Sequence, residues 1–228
     1  MTYLSKINPK TLITEIWLPG THDSLAYNIT FNLFLRTQSL NFTEQLKSGV
    51  RVFDVRLDSF NFNCCHGIFY CKKFNGEIIN FEEILIAAKQ FLQENTSDFI
   101  IILVKVIPSE NFKKLIEKYE CLELKTLQKT IAEISGKICI INQNKYIIPK
   151  QDVFTHGVVD KIHEFKMATF NEEVLFNYSS IMGVPIVSSK IINKRLKNII
   201  LETYIPQWYM IDFIDEELIN LIISKNFE

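Results

Sequence analysis

The feature that most limits what this chain can fold into is a set of apolar segments too short for ordinary helices and too continuous for solvent-facing strands. Residues 99–106 read FIIILVKV, 137–142 KICIIN, 50–57 VRVFDVRL and 208–213 WYMIDF. A strand with one wet face alternates apolar with polar residues. A run that stays apolar is buried on both faces, as parallel strands covered by helices are. TEIWL (14–18), FNCCHG (62–67), GVVDKI (157–162) and VPIVSS (184–189) are weaker segments of the same kind and bring the expected strands to eight.

Between several of these lie segments with helical spacing. NFEEILIAAKQFLQENT (80–96) opens on Asn80 as a cap, with acids in its first turn that complement the helix dipole. SENFKKLIEKYE, LKTLQKTIAEISG, NEEVLFNYSSI, NKRLKNIILETY and DEELINLIISKN also carry apolar residues on one face. Strands alternating with helices predict an α/β fold: a compact, somewhat irregular (β/α)8 TIM barrel over residues 1–228 as one domain. With 228 residues, against about 250 for a typical barrel, some crossovers must be abbreviated, as in DSF between the second and third strands. A doubly wound open sheet is the alternative.

Composition narrows the functional classes. A hydrophobic content of 47% supports a full-sized core, and a net charge of −1 argues against a protein built to hold nucleic acid. No apolar run is long enough to span a bilayer, and MTYLSKINPKTL lacks the apolar core of a signal peptide. The expected location is cytoplasmic, or released without a recognisable signal peptide, with transient visits to membranes. Five cysteines are read as reduced thiols. Cys64, Cys65, His66 and Cys71 lack a second ligand pair, and adjacent cysteines on a strand point to opposite faces, so neither a metal nor a cofactor is expected.

In LPGTHDS (18–24), Pro19 and Gly20 read as a turn and Asp23 and Ser24 as caps, or else His22 and Asp23 are an acid–base pair at a strand end. The rest of the chain favours the second reading. Asp54 and Arg56 end the second predicted strand, His66 the third, Lys105 the fourth, Asp160 the sixth and Asp212 the eighth. In a barrel these ends share one face, where catalytic groups gather. Two histidines, several carboxylates and two cations in one bowl suit acid–base chemistry on a phosphate.

The motifs LPGTHDS, QLKSGVRVFDVRL, CCHGIFY, FIIILVK, NYSSIMGVPIVSSKIIN and YIPQWYMIDFIDEELI occur in an order that resembles one family. It is the X-domain superfamily of phosphatidylinositol-specific phospholipases C, in particular its bacterial, metal-independent branch. The resemblance implies that His22 is the general base and His66 the general acid. It implies that Asp212 orients His22, Asp23 supports His66, and Arg56 supplies the charge that calcium supplies in other branches. Asp54, Lys105 and Asp160 would contact the head group. The chain departs from the family pattern in two places. IINQNKY offers Asn142, Gln143 and only later Lys145 where an inositol-gripping arginine is expected, and Ile162 stands where a stacking tyrosine is expected.

The resemblance implies an inositol phospholipid as substrate, a transient membrane surface as partner, no nucleic acid and a monomer. LAYNITFNLFLRT (25–37) presents Phe31, Leu33, Phe34 and Leu35 to the lipid interface, or alternatively uses them to cover the barrel. Two other functions stay open at this point: a phosphodiesterase acting on another glycerophospholipid or a glycosylated inositol lipid, and a barrel that binds inositol lipids without turnover.

Overall fold

The computed structural model describes residues 2–143, 147–150, 163–170, 175–181 and 185–228. The strands are β1 Leu18–Thr21, β2 Val52–Arg56, β3 Cys65–His66, β4 Phe69–Tyr70, β5 Ile100–Lys105, β6 Leu122–Glu123, β7 Ile138–Asn142, β8 Ile147–Lys150, β9 His163–Phe170, β10 Leu175–Ile181 and β11 Gln207–Ile211. The helices are α1 Asn32–Leu35, α2 Phe42–Ser48, α3 Phe81–Glu94, α4 Glu110–Lys118, α5 Ile131–Ile134, α6 Pro185–Glu202 and α7 Glu216–Ser224.

The main sheet runs β6-β7-β5-β2-β1-β11-β10-β9-β8. Every neighbouring pair from β6 to β10 is parallel. Strands β9 and β8 extend this run antiparallel. The result is the irregular (β/α)8 class, with the four most apolar segments, in β2, β5, β7 and β11, among its parallel strands.

Several expectations need correction. Pro19 and Gly20 lie inside β1, with Pro19 paired to β11 and Gly20 to both β11 and β2, and TEIWL gives way to a 3₁₀ turn at Ile13–Glu15. FNCCHG forms only a two-residue strand, paired with β4 in a separate hairpin. Within the strand expected at 184–189, residues 185–189 instead open α6: Pro185 fits a first helical turn, where its missing N–H costs nothing. NEEVLFNYSSI contains a strand, β10, rather than a helix. GVVDKI lies outside the described residues, and α5 is a single turn of the helix expected over 124–136.

Strand periodicity sorts side chains into two layers. Phe53, Val55, Ile100, Ile102, Ile138, Ile140, Tyr209 and Ile211 pack outward against Leu46, Leu85, Leu196 and Leu218 of the helices. Leu18, Val52, Ile101, Leu103, Cys139, Ile141, Trp208 and Met210 pack inward with Leu4, Ile13 and Ile16. Register places Gly20, Val52, Ile101, Cys139 and Met210 side by side. Two residues further along the strands, the same inward phase reaches Asp54 and Asp212, then Arg56 beside Lys105. The interior is thus apolar below and polar at the C-terminal ends.

Candidate active site

His22 and Asp23 follow β1 directly. Asp23 has φ of 40°, a left-handed backbone that is strained in a residue with a Cβ and recurs at functional sites. Several buried side chains fix this turn. Thr37 donates to the Asp23 carbonyl at 2.9 Å, and the Gln38 amide donates to the His22 and Ile211 carbonyls, both at 2.8 Å. Asn193 of α6 donates to the carbonyls of Asp212 and Phe213 at 3.0 and 3.1 Å. Thr37, Gln38 and Asn193 carried no recognisable sequence signal: each is an ordinary polar residue until burial gives it a partner.

His22 Nδ1 lies 2.8 Å from Asp212 Oδ1. Its Nε2 lies 3.0 Å from Arg56 Nη2, 3.4 Å from Asp23 Oδ2 and 3.7 Å from Asp54 Oδ2. A guanidinium only donates, so the Arg56 contact suits a neutral ring with its lone pair at Nε2 and its proton on Nδ1, facing Asp212. The surrounding charges favour the other state. Burial pulls the imidazole down, but Asp23, Asp212 and Asp54 overcome it and raise the ring from 6.5 to about 9. His22 therefore sits well above the ordinary imidazole range. Burial pushes the Asp212 carboxyl up from its usual value, with the His22 charge opposing.

His66 stands at the end of β3, with Nε2 3.3 Å from Asp23 Oδ2 and Nδ1 2.9 Å from the Leu35 carbonyl. Both imidazoles thus face one carboxylate oxygen. Arg56 closes the group through Nε, 2.8 Å from Asp23 Oδ1, and Nη2, 3.7 Å from Asp54 Oδ2. Asp54 also accepts from the Gln143 amide, which donates to the Leu103 carbonyl at 3.1 Å as well. Of the residues offered where the resemblance implied an arginine, Gln143 thus reaches the site through Asp54.

Seven of the expected side chains thus converge or border the site: His22, Asp23, Asp54, Arg56, His66 and Asp212 in contact, and Lys105 exposed at the rim beside Arg56. Asp160 lies outside the described residues. Of the expected membrane-facing residues, Phe31 and Phe34 are exposed. Leu33 is exposed as well, whereas Leu35 is half-buried and packs on the outer core layer.

Among the described residues, His22, Asp23 and Asp54 bring metal-ligand atoms within 4.8 Å of one another. Arg56 projects its guanidinium into the same space, and a divalent cation there would meet that fixed positive charge. All five cysteines are free thiols, and burial raises Cys64, Cys65 and Cys71, which keeps them protonated beside His66.

Fold and site together define an α/β barrel with two histidines, an arginine and three carboxylates gathered at the C-terminal ends of its strands. No family model matches the chain. Among curated proteins it is similar to the 1-phosphatidylinositol phosphodiesterase of Listeria monocytogenes, 28% identical over 161 residues, covering 62% of this chain and 48% of the relative. A Staphylococcus aureus protein of the same name is 28% identical over 109 residues, covering 45% of this chain and 33% of that protein. The chain therefore spans half or less of the length of these relatives. Among solved structures, the phosphatidylinositol-specific phospholipase C of L. monocytogenes superposes with a TM-score of 0.76 at 20% identity, covering 98% and 97% of the two chains. A structure of the S. aureus phosphatidylinositol-specific phospholipase C, concerned with its membrane binding, gives 0.75 at 18% identity, covering 99% and 97%. At these identities the likeness establishes the shared barrel fold.

Proposed function

We propose that the protein is a metal-independent phosphatidylinositol-specific phospholipase C of the bacterial type, acting as a monomer that visits membranes transiently. One observation carries this reading: His22 and His66 each hold Nε2 within 3.4 Å of the same Asp23 oxygen, with Arg56 beside them. Base and acid then flank a single phosphodiester.

The inositol 2-hydroxyl oxygen attacks phosphorus within the same molecule, which avoids the entropy of recruiting a second reactant. Its proton passes to His22 Nε2, the P–O bond to glycerol breaks, and His66 protonates the departing oxygen. Diacylglycerol and inositol 1,2-cyclic phosphate result. In a slower step the two rings exchange roles and water opens the ring. Asp212 holds the His22 tautomer, and Arg56 offers charge and paired donors to the phosphoryl oxygens. Asp54, Lys105 and Asp160 serve the head group, with Gln143 setting the Asp54 carboxylate.

The test is incubation with phosphatidylinositol vesicles in excess chelator, with the water-soluble product identified by phosphorus NMR. Inositol 1,2-cyclic phosphate is expected, and no product is expected from phosphatidylcholine, whose head group has no neighbouring hydroxyl. Turnover that requires added calcium sinks the metal-independent assignment. If wild type and His22→Ala bind inositol lipid equally and neither turns it over, the protein is a binding module.

A further inference from the structure

The strands β3 and β4 form a hairpin outside the main sheet. Its turn carries Ile68, 87% exposed, next to Gly67 at φ of 62°. A single Ile on a surface is unremarkable, but this one extends a larger patch. Phe31, Leu33 and Phe34 on and before α1 are 63, 64 and 59% exposed. Phe31 meets Phe69 of β4 edge to face, with ring centroids 5.5 Å apart. The Leu35 carbonyl at the end of α1 meets His66 Nδ1 at 2.9 Å. α1 and the hairpin therefore adjoin as one exposed apolar surface, joined by a ring contact and by the ring of His66.

Taking the proposed activity as its basis, we infer that the β3–β4 hairpin enters the lipid bilayer together with α1, with Ile68 as its tip. Reaction chemistry supplies the occupant. His66 protonates the glycerol oxygen, so the leaving group that carries both acyl chains departs on the His66 side. The apolar surface flanking His66 is where those chains must lie, and Ile68 is two residues beyond it in sequence. Charge agrees: residues 66–70 contain neither lysine nor arginine. The nearby Lys73 is paired with Glu77 and Glu83 at 3.1 and 2.7 Å. Such a surface suits zwitterionic lipid, held by buried apolar area rather than by counter-charge. The hairpin then sets the depth of His66 at the interface, and α1 holds its ring.

The test uses Ile68→Trp, because the native Trp17 and Trp208 are both buried. On phosphatidylcholine vesicles carrying a minority of phosphatidylinositol, the new indole should shift to the blue and be quenched by brominated lipid. Quenching should persist in high salt, and Phe34→Trp should behave alike. Ile68→Asp, with its fold checked by circular dichroism, should weaken vesicle partitioning about tenfold or more. Quenching confined to Phe34→Trp overturns the inference, as does unaltered partitioning of Ile68→Asp. Self-association that Ile68→Asp abolishes, without vesicle quenching, assigns the patch to a second copy and also overturns it. Quenching at position 68 without lipid cleavage supports the surface while rejecting the activity; cleavage without quenching overturns the surface alone.

Discussion

Asp212 decides which nitrogen of His22 carries the proton, because its carboxylate faces Nδ1 at 2.8 Å and leaves Nε2 toward Arg56. Asp212→Asn removes one of the charges that raise His22 to about 9 and lets an amide N–H favour the wrong tautomer. We expect kcat to fall by about 10³ to 10⁴. The sign of the accompanying pH effect follows from the proposed mechanism: as its general base His22 works deprotonated, so wild-type kcat/KM should climb with pH toward 9, and this limb should move to lower pH in Asp212→Asn. Stability carries the opposite sign. The folded pKa of His22 lies above its ordinary 6.5, so the stabilisation is complete below 6.5 and is lost as pH rises through about 9. Calorimetry should show wild type losing up to about 3 kcal/mol more than His22→Gln between pH 6 and pH 10.

At the scale of elements, the strands that were legible are those whose apolar character leaves no alternative. β5 is buried on both faces, and FIIILVKV says so. The misread segments are those in which local composition opposes tertiary placement. At the start of α6, β-branched Ile186 and Val187 suggest a strand, yet packing of Ile192, Leu196 and Ile200 on the sheet makes a helix. The site was legible where charge ends an apolar run, at Asp54, Arg56 and Asp212. Gln38, Gln143 and Asn193 act only through partners distant in sequence, which no local pattern reveals. Gly20 shows the same limit. It reads as a turn glycine, but a Cβ there would lie 2.6 Å from the Tyr209 carbonyl and 2.8 Å from Met210 Sδ. Gly20→Ala should therefore cost about 1–3 kcal/mol through overpacking. Urea denaturation should show a lower midpoint at unchanged slope.

Across the whole molecule, the two ends of the sheet do different work. The C-terminal ends gather charge around His22 and His66, whereas the N-terminal ends hold a different ion pair. Arg51, just before β2, places Nε 2.9 Å and Nη2 2.5 Å from Asp98 Oδ2, just before β5. Arg51 Nη1 also donates to the carbonyls of Leu46 and Val50 at 2.8 and 2.7 Å, and Thr2 donates to Asp98 Oδ1. Both side chains are buried, and this end of a barrel serves stability rather than chemistry. Asp98→Ala strands a buried guanidinium and should cost about 3–5 kcal/mol, while kcat per folded molecule stays at the wild-type value. The double variant Arg51→Met/Asp98→Leu removes both charges and should recover much of that loss. Chemical denaturation beside vesicle cleavage checks the pair of expectations, and a fall in kcat that tracks the loss of stability would show that the two ends of the sheet are coupled.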